Sequence, residues 1–224
     1  MHCLRGPMSK IKWFLGVLAF PFCSAFAQTQ TIPDFVGGIN RHTAKICTQE
    51  IEKSRCKLKD LFTNYKLCVH EVLVQHPQCK QSLTFFNSTE GGIFNKIRSY
   101  KNIDIILADY VYIADQGTGY FLVTHSGQFI ALPLPITKKQ LKTMSNYEVI
   151  AKKYPHVNAW QILDFPQEIK LPRNRYRLVF TQQLKDGCNA CALAGTVKVA
   201  YDFSDDGKHF DGIKVLKLSP QNTI

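Results

Sequence analysis

Apolar positions follow two periods along the chain. In residues 41–80 they recur at helical spacing. Cys47, Ile51, Ser54, Leu58 and Leu61 are separated by steps of four and three, which places them on one face of a helix. FTNYK (Phe62 to Lys66) reads as the turn that follows. A second helix, Leu67 to about His76, must stop at Pro77, whose ring cannot continue a helix. From about Ile103 the period drops to two. IDIILADYVYIA is apolar and β-branched, and YFLVTH and QFIALPL flank Ser126-Gly127, so residues 103–134 predict a three-stranded meander. Thr137 with Gln140, and Ser145 with Glu148, have the spacing of capping boxes, in which hydroxyl and reciprocal side chain satisfy orphan helix N–H groups. They predict two short helices, or one bent helix, within 137–153.

Strands resume with AWQILDF, RYRLVFTQQL, GTVKVAYDF and GIKVLKL. In the third, Val197, Val199, Tyr201 and Phe203 alternate with Thr196, Lys198, Ala200 and Asp202, the mark of a strand with one polar face. SDDGK (Ser204 to Lys208) is the expected hairpin turn, since Asp-Gly tolerates positive φ. Helices first and antiparallel strands afterwards predict an α+β fold. The expected organisation is a signal peptide over 1–27, a Pro- and Gly-punctuated linker over 28–40, a helical hairpin lobe over 41–80, and a sheet domain over 81–224 with helices near 137–153.

The first residues change the picture most. Lys10 and Lys12 precede the apolar run WFLGVLAFPF, and Ala25-Phe26-Ala27 supplies small residues where a signal peptidase reads, so cleavage is expected before Gln28. The run is too short to cross ~30 Å of hydrocarbon at about 1.5 Å per residue. Phe22 is too bulky for the position before a lipidated Cys23. Removing 27 of the 224 residues leaves 197, enough for one domain with a real core. Arg5, Lys10 and Lys12 leave with that segment, so the net charge falls from +11 to +8. A balance this basic favours an anionic partner, such as phospholipid or lipopolysaccharide head groups, wall polymers, nucleic acid or an acidic protein face, or else serves solubility alone.

Of the eight cysteines, six remain after cleavage, and an even count behind a secretory signal favours disulfides. Cys47, Cys56, Cys68 and Cys79 are spaced by 9, 12 and 11 residues, which resembles no common zinc spacing and contains no CxxC. Across a helical hairpin turning near residue 63, equal depth matches Cys47 with Cys79 and Cys56 with Cys68. Azimuth opposes this, since nine residues turn Cys56 about 180° away from Cys47 on an ideal helix. The nested scheme therefore needs a kinked first helix or a Cys79 swung round by Pro77. Otherwise Cys56 reaches the sheet, where Cys188 and Cys191 lie.

CNAC (Cys188 to Cys191) is the sharpest catalytic motif. A redox CxxC needs one stabilised thiolate, usually at a helix N-terminus, whereas glycine and a strand pattern follow here. The alternative is a disulfide closing a strand-connecting loop. His70 and His76 are six apart and cannot share a helix face as a zinc pair. DFSDDG begins like a calcium loop but has Ile213 where a bidentate Glu is needed. QGTGY is a turn between strands, and His125-Ser126 has no evident third partner. Asp104, Asp109, Asp115, Asp164 and Glu168 suggest no particular pair for glycoside chemistry. Asn87 begins an NST sequon, relevant only in a eukaryotic secretory route. Arg173, Arg175 and Arg177 alternate with Asn174 and Tyr176, so three guanidiniums are expected on one face, suited to phosphates or carboxylates or else guarding an edge strand.

These features predict a non-enzymatic exported binding or assembly protein of the cell envelope, in the periplasm or at the surface of a Gram-negative bacterium. An accessory subunit of a secretion system is one such role. Its partner is expected to be an envelope protein or an anionic surface. No cofactor, no metal and no specific nucleic acid are expected. The alternatives are a periplasmic thiol-disulfide oxidoreductase using Cys188 and Cys191, or an inhibitor of a hydrolase.

Overall fold

The computed structural model describes residues 29–54, 56, 62–110, 117–188 and 190–221. The expected signal peptide, Leu58, Leu61 and Asp115 lie outside these residues. The fold is α+β and has three layers. One antiparallel sheet contains β1 (Gln30–Val36), β2 (Ile93–Tyr100), β3 (Ile103–Asp109), β4 (Thr118–Thr124) and β5 (Ser126–Leu132), in the order β1-β5-β4-β3-β2. The meander over 103–134 is its centre, formed by β3, β4 and β5. The second sheet contains β6 (Val157–Ile162), β7 (Gln167–Leu171), β8 (Arg175–Asp186), β9 (Leu193–Ser204) and β10 (His209–Pro220). Its order is β10-β9-β8-β6, and β7 continues the β6 side along the other end of β8.

Strict alternation explains why the first sheet has two dry faces. Ile103, Ile105, Tyr120, Leu122 and Ile130 point to the second sheet, where they meet Tyr176, Leu178, Phe180, Val199 and Tyr201. The intervening residues Ile106, Ala108, Phe121, Val123 and Phe129 point the other way and meet Phe35, Ala44 and Phe85 under a helical layer. That layer comprises α1 (Arg41–Lys53), α2 (Phe62–Gln75) and α3 (Lys80–Ser88). Asn40 caps α1 by accepting from Thr43 N at 3.0 Å. Two short helices, α4 (Lys138–Lys142) and α5 (Tyr147–Lys153), contribute Leu141, Tyr147 and Ile150 to the edge of the inter-sheet core.

Several expectations are corrected. Residues 30–36 are not linker but an edge strand paired with β5. FTNYK is the first turn of α2, and Ser54 caps α1 instead of continuing its apolar face. The helical layer runs on through α3 to Ser88, past the boundary expected at residue 80. Pro77 does end α2, but it then starts a single 3₁₀ turn, Pro77–Cys79, that leads directly into α3. The Thr137–Gln140 capping box forms with both of its hydrogen bonds. At α5 the cap position belongs to Asn146, at φ +72°, and no side-chain cap bond is made.

Buried Asp104 ties the helical layer to the sheet. It sits on the helix-facing side of β3 and is 1% exposed. It accepts from Ile39 N at 2.6 Å and Ser99 Oγ at 2.5 Å, and His125 Nε2 lies 3.7 Å away. Gly38, at φ +87°, makes this approach possible, because a Cβ there would lie 2.5 Å from His125 Nε2 and 2.7 Å from Asp104 Oδ2.

Candidate functional site

The six cysteines form three bonds, Cys47–Cys79, Cys56–Cys68 and Cys188–Cys191. The azimuth conflict disappears because α1 ends at Lys53, so Cys56 is not on the same straight helix as Cys47. The 3₁₀ turn at Pro77 brings Cys79 round to face α1. Cys47, Cys56 and Cys79 are buried together with Ile51, Tyr65, Val69 and Leu73 in a small core of their own. Cys188–Cys191 closes the loop between β8 and β9. The chain leaves Cys191 into a strand, so no helix dipole is available to stabilise a Cys188 thiolate.

The arginine row is not three free guanidiniums. Arg177 faces Asp202 directly across the β8–β9 pair, and its Nε and Nη2 donate to the two carboxylate oxygens at 2.6 and 2.8 Å. That pair raises the Arg177 pKa, chiefly through the hydrogen bond to Asp202. Arg175 Nη2 lies 3.6 Å from Asp211. Arg173 is in the exposed turn before β8, at φ +61°. His70 is exposed on α2, and His76 stands 4.0 Å from Glu50. Among the described residues, no three His, Cys, Asp or Glu side chains converge on a metal position. Ser126 Oγ lies 2.7 Å from Thr124 Oγ1 and donates to the Lys208 carbonyl at 2.5 Å. Its hydroxyl hydrogen thus joins the β4–β5 turn to the β9–β10 hairpin and does not face His125 as a primed nucleophile.

Two concave features among the described residues bear on function. One is an aromatic cleft of about 340 Å³ at the end of the sandwich, where Tyr110, Tyr120, Leu132, Pro133 and Trp160 meet. Burial pushes the Tyr110 hydroxyl up to about 12 despite its bond to Thr89, so it stays protonated at neutral pH. The Trp160 indole N–H is buried there without a hydrogen-bond partner.

The other is a groove between α1 and β2, about 410 Å³ with a further 140 Å³ where it continues. One face of α1 lines it at steps of three and four: Arg41, Ala44, Lys45, Thr48 and Glu52. Its floor is Phe94 and Ile97 of β2, which lies at the outer edge of the first sheet. Thr48 Oγ1 donates to the Phe94 carbonyl at 3.1 Å and fixes the spacing of the two walls. A bulge between Phe94 and Lys96 reverses the alternation, so the Lys96 and Arg98 head groups lie over the Phe165 ring at 5.2 and 4.2 Å, although Lys96 still lines the strand side of the groove. The helix-side rim therefore carries Arg41 and Lys45 at one end and Glu52 with Asp109 at the other.

Of this groove, the sequence singles out Asp109, as one of several unplaced carboxylates, and Lys45 and Glu52 belong to a stretch of mixed charge that reads as an ordinary solvated helix face. The spacing 41, 45, 48, 52 was the available signal, but β2 opposite it was not expected at all. Comparison of the chain with family models, curated proteins and solved structures returns no match.

Proposed function

We propose that the chain is exported and serves as a non-enzymatic binding or assembly protein of the cell envelope, in the manner of an accessory subunit of a multi-protein machine such as a secretion system. The observation that carries this reading is the oxidation of all six cysteines beyond residue 27 into three disulfides. Such bonds persist in oxidising compartments and are rare in the cytosol. Oxidised cysteines are neither nucleophiles nor ligands for soft metals. Among the described residues, no helix is long and apolar enough to cross a membrane. The open edge of the first sheet, with a groove beside it, offers a place to dock an envelope protein. The Gram-negative host and the periplasmic address remain part of the same proposal, supported by the basic charge and by the leader pattern.

The test is recovery of tagged protein from its own envelope extract, at low and at high salt. A stoichiometric partner released by salt is expected. A chain that is always alone and monomeric overturns the reading. Thiol exchange is checked on the same material. A Cys188–Cys191 reduction potential below about −300 mV, with no mixed disulfide trapped by Cys191→Ser, is expected of an inert structural bond.

A further inference from the structure

We infer that the α1–β2 groove takes an extended polypeptide segment as an added β-strand, antiparallel to β2, carrying an acidic residue, an apolar residue two positions later and a basic residue two positions after that. This rests on the reading of the chain as a binding protein and specifies the chemistry of what it binds.

An outermost strand leaves half of its N–H and C=O groups without a sheet partner, so main-chain bonds from an incoming strand supply affinity and side-chain pockets supply specificity. Edge strands are ordinarily blunted by projecting lysines and arginines. Here the Lys96 and Arg98 head groups are drawn onto Phe165, away from the α1 wall, while Thr48 on α1 holds the Phe94 carbonyl, so an added strand pairs beside that anchor and not through it. The eight residues of β2 are long enough to pair with such a segment.

Charge fixes which segment fits. Arg41 and Lys45 are exposed, and neither forms an ion pair among the described residues. Glu52 is also exposed, and Asp109 at the same end accepts from Asn95. From the midpoint of Arg41 and Lys45 to Glu52 is nine helical residues, roughly 13.5 Å at 1.5 Å each, or about four strand residues at 3.3 Å. Residues four apart in a strand point to the same side, and the one midway shares it. An acid and a base at that spacing can therefore both face α1, with an apolar side chain between them over Ala44, Phe94 and Ile97. Glu52 and Ile93 both line the continuation of the groove, whereas Arg41 and Ile97 line only its main part, which sets α1 antiparallel to β2. A segment antiparallel to β2 consequently presents its acid first. A second copy of β2 does not meet this requirement, because it has no acid and would bring Lys96 and Arg98 toward Arg41 and Lys45.

The experiment uses the chain from residue 28 onward and two blocked, dye-labelled peptides, Thr-Glu-Thr-Val-Thr-Lys-Thr and its charge-reversed form Thr-Lys-Thr-Val-Thr-Glu-Thr. Fluorescence anisotropy should give at least about ten-fold tighter binding for the first, a preference set by charge placement alone. The double variant Arg41→Glu/Lys45→Glu, both positions exposed, should lose that preference, and β2 amides should gain exchange protection only with the first peptide. Equal binding of both peptides, no binding of either, or an unchanged preference in the variant overturns the inference. Repeating the envelope recovery with the variant separates the two readings. A partner retained as well as by the unaltered chain sinks strand addition here and leaves the binding role standing, whereas no partner for either protein sinks the role itself.

Discussion

Replacing Cys47 and Cys79 together by alanine should cost the protein about 3–4 kcal/mol. The bond closes a loop of 32 residues, and restricting a chain that long in the unfolded state is worth roughly 3.7 kcal/mol on a chain-entropy estimate. Cys56–Cys68, with a separation of 12, is worth roughly 2.8 kcal/mol, and Cys188–Cys191, with a separation of 3, only about 1.6 kcal/mol. Nesting adds a second consequence. With the inner bond closed, the outer loop is effectively near twenty residues, and its contribution falls to roughly 3.3 kcal/mol. Removing the outer bond should therefore hurt slightly more in a protein that already lacks the inner one. Urea titrations of the three paired-alanine variants, followed by Trp160 fluorescence and far-UV circular dichroism, give both midpoint and slope. The slope should rise most for Cys47/Cys79, since the less constrained unfolded chain exposes more surface. Equal losses for all three pairs, or a loss under about 1 kcal/mol for Cys47/Cys79, would refute the idea that these bonds act by loop closure.

Two further perturbations test the joint between layers. Asp104→Ala leaves the buried Ile39 N–H without its acceptor and should destabilise by about 3 kcal/mol, with Asp104→Asn costing less because one oxygen remains; a loss under about 1 kcal/mol in a chemical melt would show that the carboxylate is not the tie it is taken for. Asp34 in β1 is held below its ordinary 3.8 first by the Lys80 hydrogen bond and then by the Thr84 hydroxyl, both on α3. A depressed acid contributes stability that is present above its unfolded pKa and lost as pH falls through the lower folded value. The stability gap between the unaltered protein and Asp34→Asn should thus be constant at neutral pH and shrink below about pH 4, and a gap that ignores acid contradicts the pairing.

The parts of this fold that are legible in sequence are those decided locally. The meander, the long strands β8, β9 and β10, the Asp-Gly hairpin and the Pro77 stop each follow from a period of two or from the chemistry of one turn. Three strands escaped for physical reasons. β1 contains Pro33 and ends at Gly37-Gly38, so it resembles a linker until β5, some ninety residues away, pairs with it. β2 has a bulge at Asn95 that breaks its alternation, and β7 is five residues long at a sheet edge. α3 was hidden because a 3₁₀ turn carries the chain past Pro77 and straight into a new helix. The cysteine pairing was legible in depth but not in azimuth, since where α1 ends decides it. The groove could not be read at all, because it exists only where a helix face and a bulged strand come together.

The same contrast separates the two basic features of the chain. Arginines at 173, 175 and 177 look like the denser cationic patch, yet β8 pairs with β9 so that Asp202 stands opposite Arg177 and takes both of its inner donors. Asp211 lies near Arg175 from β10. Cross-strand register has made Arg177 a link within the sheet, where a bidentate carboxylate leaves its guanidinium little capacity for an outside anion, while Arg175 stays exposed beside Asp211. Arg41 and Lys45 occupy one turn of α1 and have no such neighbours, because the first turn of that helix contains no acid and the strand beneath it turns its own cations away. A net charge of +11 is therefore a poor guide to where an anion is attracted. What matters is which cations lack an internal carboxylate, and on this molecule the α1–β2 groove holds a pair of them beside an open strand edge.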